Sequence, residues 1–444
     1  MDRKILFPVL AIAILVAASA AVFLVRDSDA GGDKSPSTME QAELKVFGNA
    51  NGDRRIDGTD LEIIEEIIKG DRAAADYPLA DANNDGAVDR ADADLVEKIM
   101  KGESATITHV NYYNGGEQIV TTKFPVRSAI MTGSSSAWIL TFQLGILDEI
   151  KGSSQHGKGD TILYRDSYLD ESKCAFLSGG NDIDFENGRA GSSNVIIEKK
   201  VTALIADSSK SYITKEKDFE NVGVDVVRVT FASVDRPVVA HSALLLGLLF
   251  QKVERSIQYL EMFDDLYGQI DRALGSVEDR VSAVASGGHS GTIASTTYEY
   301  GKIVMAASGD YGLKNFNFAG ATSVKVAEQP SVFDTRLYNY DYVIQFSSFN
   351  SEGGGAYRGV TQAYCDGLWD EKVSHFAQWE HNDTGQYIIS LGSPVMVRLA
   401  YTAAVFYPDI VSMDWADQFH QKVVDALFNG QEYDVSELTF VIHK

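Results

Sequence analysis

The chain has two cysteines, Cys174 and Cys365, in 444 residues. That is too few for a disulfide framework, and both read as buried thiols. Positive charge is also scarce: 39 Lys and Arg stand against 63 Asp and Glu, for a formal net charge of -24. Such a surface repels a phosphate backbone, so nucleic acid is excluded as a partner. The eight histidines are scattered, and no His-Glu-x-x-His, Gly-x-Ser-x-Gly or Gly-Lys-Ser/Thr motif occurs. His289 beside Ser290 in "SGGHSGT" is the nearest approach to a nucleophile pair. Adjacent residues rarely face each other in catalytic geometry, so that stretch reads as a loop. "SEGGGAYRG", 351–359, lacks the strand-to-helix context of a dinucleotide loop. The chain is therefore expected not to be an enzyme.

Long hydrophobic runs are missing with one exception. "ILFPVLAIAILVAASAAVFLV", residues 5–25, carries no charge, and at helical rise it spans a hydrocarbon core of roughly 30 Å. Arg3 and Lys4 precede it, which places the amino terminus in the cytoplasm and the rest outside. Residues 1–27 are thus expected to be a membrane anchor, or a signal segment if "ASA" at 18–20 is cleaved, and 28–44 a polar linker.

What the sequence has in abundance is oxygen donors at a fixed spacing. In "DANNDGAVDRAD", Asp81, Asn83, Asp85, the Ala87 carbonyl, Asp89 and Asp92 fall at positions 1, 3, 5, 7, 9 and 12 around Gly86. That is the spacing of a calcium loop, in which one hard cation gathers six to eight oxygens. Earlier, "NANGDRRIDGTD" repeats it with Asn49, Asn51, Asp53, the Arg55 carbonyl, Asp57 and Asp60. Here Arg54 replaces the turn glycine, where a left-handed backbone and its strain are expected. Each loop runs into an amphipathic segment ending Lys-Gly, "LEIIEEIIKG" and "ADLVEKIMKG", so a loop-plus-helix unit is duplicated. No amphipathic helix precedes the first loop.

This tandem, with Asp at position 12, resembles a type I dockerin over residues 45–104. The resemblance implies up to two calcium ions and a cohesin partner. In that family loop positions 10 and 11 touch cohesin; here they are Gly58 and Thr59, then Arg90 and Ala91, neither a Ser-Thr pair. A calcium-stapled spacer with no partner is the alternative.

From residue 105 short β-branched runs alternate with helical ones: "SAIMTG" then "AWILTFQLGILDEI", "VTALIAD" then "SYITKEKDFENVG", and "VDVVRVTFAS". "QKVERSIQYLEMFDDLYGQIDRAL", 251–274, places Val253, Ile257, Leu260, Phe263, Tyr267, Ile270 and Leu274 at steps of three and four, as one long amphipathic helix does. The alternation then restarts through "RVSAVAS", "YDYVIQFSS" and "GQYIISLGS". The expected fold class is α/β: two lobes with parallel-type sheets, 105–250 and 277–444, joined by a helix over 251–276. A small all-α module with two EF-hand-like loops and a transmembrane helix precede them.

That order, with "LLLGLLFQKVERSIQYLEMFDDLYGQI", "LYNYDYVIQFS" and "SLGSPVMVRLAYTAAVFYPDIV", resembles the helix-hinged binding proteins of the iron-siderophore and vitamin B12 class over about 107–430. The resemblance implies an extracytoplasmic solute-binding protein that feeds an ABC permease, its long helix a hinge permitting slight closure. Members carry a surface Glu early in the first helix of each lobe for that docking; here Ile139 and Phe333 stand at those places. The ligand is expected between the lobes at strand carboxyl ends. Ser134, Ser135, Trp138, Tyr164, Arg165, Ser208 and Tyr212 are candidates for one wall. Tyr298, Tyr300, Phe346, Trp379 and His381 are candidates for the other. Aromatics and hydroxyls of this kind suit a bulky metal chelate of siderophore, corrinoid or haem type, not a bare ion. A cell-surface assembly protein, recruiting a cohesin partner and not transporting, is the second reading.

Overall fold

The computed structural model describes residues 42–113, 116–132, 135–154, 173–178, 183, 192–208, 213, 215–231, 236–274, 277, 283–286, 342–347, 357, 359–374, 387–391, 393–430 and 432–443. The expected anchor lies outside them, and no helix among the described residues is long and apolar enough to cross a membrane.

The chain enters with a duplicated loop and helix. Helices α1 (Gly58–Lys69) and α2 (Arg90–Lys101) begin at Asp57 and Asp89 and close on Gly70 and Gly102, both left-handed. Each start is a capping box: the Asp cap accepts a backbone N–H inside the helix while Asp60 or Asp92 reaches back to the cap N–H. Ala50, Ile63, Ile64, Ala80, Ala82, Ala93 and Val96 form the small core between the repeats.

An antiparallel hairpin comes next, β1 (Ala105–Tyr113) and β2 (Gly116–Phe124), with Tyr113 opposite Gly116. The expected α/β alternation therefore starts after residue 124. The next strands are β3 (Ala129–Met131), β4 (Ile150–Ser154), β5 (Ala175–Ser178), β6 (Ala203–Asp207) and β7 (Asp225–Val229). They form one parallel sheet in the order β5-β4-β3-β6-β7. Chain order reverses at β3, so its carboxyl end and that of β6 form a topological switch point. All five residues of β6 are buried, as a parallel strand covered on both faces requires. Helices α3 (Ser135–Gln143), α4 (Ser192–Glu198) and α5 (Glu216–Asn221) lie in the connections.

Helix α6 (Arg236–Leu249) turns sharply into α7 (Val253–Leu274), the long helix the spacing predicts. The turn brings the backbones so close that a Cβ on Gly247 would lie 2.6 Å from that of Ser256. Ile257, Leu260, Phe263, Tyr267, Ile270 and Leu274 of α7 are buried. Beyond it come β8 (Ala283–Ser286), β9 (Tyr342–Ser347), α8 (Gln362–Ser374), β10 (Tyr387–Leu391), α9 (Val395–Phe406), α10 (Met413–Leu427) and β11 (Val441–His443). The second sheet runs β11-β10-β9-β8, parallel except for β11.

A large hydrophobic core takes in Leu44 and Val46 ahead of the first loop, Ile107, Trp138, Phe263, Leu399 and Phe419, and a separate cluster gathers Ile130, Leu177, Leu204, Phe219 and Val226. Arg255 of α7 ties its parts together, donating to the carbonyls of Gln143 at 2.7 Å and Ala426 at 2.6 Å, the ends of α3 and α10. Asn429 Nδ2 adds a bond to the Phe142 carbonyl at 2.9 Å. These donors satisfy carbonyls that a helix terminus leaves without an internal partner.

Candidate functional site

Each loop of the entry module is organised by the helix it leads into. The buried Asp60 carboxylate accepts the N–H of Asn51 at 3.0 Å and of Asp57 at 2.8 Å. Asp92 accepts those of Asn83 and Asp89 at the same two distances. Position 12 therefore pulls both loops shut in the same way.

The two loops differ at positions 1 and 6. Asp81 accepts from the N–H of Asp85 and Gly86 at 3.0 and 2.8 Å. Asn49 instead donates Nδ2 to the carbonyls of Leu44 and Asp53 at 2.7 and 2.8 Å. That fixes the amide orientation, and the Asn49 side-chain oxygen is left buried with no hydrogen-bond partner. Gly86 has φ +98°, but Arg54 is not among the positive-φ residues, so the strain expected there is absent. The left-handed residues at position 4, Gly52 at +68° and Asn84 at +58°, turn the chain in both loops.

Burial pushes the Asp60 carboxyl up to about 6, with Asp53 and Asp57 adding repulsion against the opposing backbone N–H bonds. Burial likewise raises Asp81. Among the described residues no three His, Cys, Asp or Glu side chains are gathered as a metal cluster. The oxygen set of these loops adds Asn49, Asn51, Asn83 and main-chain carbonyls to its carboxylates.

The module is also joined to the strands and helices beyond residue 104 by contacts that no local pattern announces. Val46 bridges His109 in antiparallel fashion, extending the hairpin by one short edge. The Lys45 N–H donates to His241 Nδ1 at 3.0 Å, and His241 Nε2 donates to the Val110 carbonyl at 2.7 Å. Arg54 Nη2 meets Asp264 Oδ2 of α7 at 3.0 Å, and Arg55 Nη1 meets Glu254 at 3.1 Å. An arginine in place of the turn glycine was the one sequence signal for this seam.

Of the cleft candidates, two fall in the segments that follow the neighbouring strands β3 and β6. Ser135 opens α3 directly after β3, and the half-buried Ser208 lies just past β6, the neighbouring strand. Ser208 Oγ donates to Asp207 at 3.5 Å and accepts from Thr230 Oγ1 at 3.4 Å. Beside them the fully buried Arg228 holds Glu216 at 2.8 Å and the Asp207 carbonyl at 3.0 Å, its guanidinium over the Tyr113 ring. Phe346 lies near the carboxyl end of β9, opposite Ser390. Trp138 is only 2% exposed and belongs to the core, not to an open wall. Ile139, at 3%, is equally inside and offers no surface for docking. Ser134, Tyr164, Arg165, Tyr212, Tyr298, Tyr300, Trp379, His381 and Phe333 lie outside the described residues. A depression of about 760 Å³ is lined by Gln421, Asp425, Gly430, Glu432, Tyr433 and Asp434, none of them a cleft candidate.

The repeated loop, Asp cap and closing Asp define the module. Residues 48–101 match the dockerin type I domain. The fold of the remainder is similar to that of a TroA-like periplasmic binding protein, FepB, from Veillonella parvula. That likeness has TM-score 0.51 and 12% identity over 75% of this chain and 99% of that one. CeuE from Helicobacter pylori, described as a nickel-histidine complex, aligns at TM-score 0.47 and 12% identity over 74% of this chain and 98% of its own. A periplasmic heme binding protein from Pseudomonas aeruginosa aligns at 0.39 and 17%, over 64% and 94%. No curated protein matches the chain in sequence. At such identities the likeness is one of fold: the α/β part is folded like a periplasmic binding protein, and it follows residues that match a dockerin type I domain.

Proposed function

We propose that this chain is an extracytoplasmic solute-binding protein, tethered to the membrane by residues 5–25, that takes a bulky metal chelate between two lobes and carries calcium in its dockerin module. The observation that carries the binding reading is the switch point between β3 and β6 within a periplasmic-binding-protein fold, with Ser135 and Ser208 at its rim. Helix α7 acts as the hinge, and its packing into the common core limits closure to a small rotation.

The loops fit calcium. The partnerless oxygen of Asn49 is buried at position 1, which a hard cation would satisfy and which otherwise carries a desolvation cost. Asn49, Asn51, Asp53, Asp57, Asp60 and the Arg55 carbonyl would hold one ion. Asp81, Asn83, Asp85, Asp89, Asp92 and the Ala87 carbonyl would hold a second. The ion supplies charge neutralisation for carboxylates crowded on one turn.

The test is a titration of the intrinsic tryptophan fluorescence of the full chain with a ferric siderophore, a cobalamin and haem. Saturable quenching by one of them, without competition from free metal ions, supports the reading. No quenching across the panel, together with calcium-dependent binding of a cohesin domain, would replace it by the second reading: a surface assembly protein whose bilobed part does not deliver to a permease. The burial of Ile139 favours that second reading.

A further inference from the structure

Loop 1 differs from loop 2 in what stands at position 6. Gly86 in loop 2 has φ +98°, and a Cβ there would meet nothing within 4 Å. Position 6 of loop 1 is Arg54, whose guanidinium crosses to Asp264 of α7, 210 residues away, at 3.0 Å. Both side chains of this pair are about one-fifth exposed, at 19% and 23%. Partial burial makes such a pair less screened than a fully solvated one. The next residue, Arg55, would offer its carbonyl to the ion, while its side chain meets Glu254 at the start of the same helix. Asn49, whose oxygen lacks a partner, binds the carbonyl of Leu44, and Leu44 is part of the core shared with α7.

We propose that the ion held by loop 1 braces helix α7, so that calcium occupancy and the position of the interlobe helix are thermodynamically coupled. Loop 2 has no part in the brace: its Arg90 pairs within the module, with Asp94 and Glu97. The physical route is short. Ordering residues 49–60 about an ion fixes the backbone from which Arg54 projects to the middle of α7; Arg55 meets a Glu254 whose side chain is 80% exposed, so that second pair adds little and Arg54 carries the brace. Coupling of this kind is reciprocal, so any ligand that shifts α7 must change the calcium affinity of loop 1 by the same factor. The proposal rests on the calcium reading of the loops under the proposed function.

Hydrogen exchange on the full chain, with saturating calcium and with chelator, tests it. In the wild type, calcium is expected to slow exchange in 49–60 and 81–92 and also, by roughly two- to fivefold, in α7, the size that partly exposed ion pairs support. In Arg54→Gly, which restores the usual turn residue, the loops keep their calcium protection and α7 loses its response. In Asp92→Asn, which disables loop 2, the α7 response persists. If calcium protects the loops but leaves α7 unchanged in the wild type, or if Arg54→Gly responds in α7 as the wild type does, the brace is wrong and the calcium reading stands. If calcium protects neither loop, the calcium reading fails and the brace with it.

Discussion

His241 Nδ1 accepts the Lys45 N–H at 3.0 Å while its Nε2 donates to the Val110 carbonyl at 2.7 Å, so one neutral imidazole joins the entry segment to the hairpin. Both bonds require the Nε2–H tautomer. A proton on Nδ1 would face the Lys45 N–H and break the seam. Burial pushes His241 down to about 3, with the charge of Lys45 a lesser contributor, and burial pushes the neighbouring His109 down to about 4.

Acid should therefore loosen this seam. With folded values depressed, the unfolded chain binds more protons at intermediate pH. Stability is intact above the ordinary histidine value near 6.5 and falls as pH drops toward 3 to 4, by on the order of 1 kcal/mol per pH unit for each imidazole. The measurement is the stability of wild type against His241→Gln at several pH values. The wild-type advantage should shrink from pH 7 to pH 4.5; an advantage independent of pH would show that His241 does not titrate as described.

Calcium should stabilise the folded chain in two separable steps. Loop 2 offers four carboxylates to the three of loop 1, so Asp92→Asn is expected to remove the tighter step in calorimetry and Asp60→Asn the weaker. The gain is roughly 2.7 kcal/mol for a site filled at about a hundredfold above its Kd. A titration unaltered by Asp92→Asn would contradict the assignment.

Trp138→Ala is expected to destabilise the whole fold by about 3–5 kcal/mol, because the indole is buried in the large core and its removal leaves a cavity there. Denaturant unfolding would measure this. Loss of ligand quenching with unchanged stability would instead return Trp138 to the cleft wall.

Arg255→Ala should cost about 1–2 kcal/mol, since the carbonyls of Gln143 and Ala426 lose a donor between helix ends that Arg255 holds at once. Lysine cannot reproduce the planar fork and is expected to recover at most one of the bonds. If both variants unfold at the wild-type midpoint, the bridge contributes nothing.

Much of this architecture was legible because its determinants are local. The Asp caps, closing Asp and left-handed glycines of α1 and α2 lie within one repeat, and the buried stripe of α7 comes from its own spacing. β6 announces itself by the apolar run Ala203–Ala206, and β7 by the valines at 226, 227 and 229. The hairpin at 105–124 did not, because β1 is buried at consecutive residues from Ile107 to Asn111 and shows no alternation. Its cover comes from distant segments: Asn111 donates to the Val226 carbonyl and accepts from the Arg228 N–H across 115 and 117 residues. Trp138 is illegible for a similar reason: a residue after a strand's carboxyl end belongs to a cleft only if nothing covers it, and this one is packed into the core formed with distant segments. Position 6 of loop 1 looked like a defect in a calcium site, and its meaning appears only with Asp264 in view.

The bridge between Val46 and His109 bears on how such chains are assembled in evolution. A dockerin is easily pictured as a cassette, spliced onto one enzyme or another and swung on a flexible leash. Here Ala42, Leu44, Val46 and Ile99 are stitched into the same core as the sheet and its helices. Cutting at residue 104 would strip cover from Ile107 and leave the Lys45 side of His241 bare. Recombination at that boundary would bare apolar surface on both sides, so residues 42–104 and the α/β part are expected to fold as one piece.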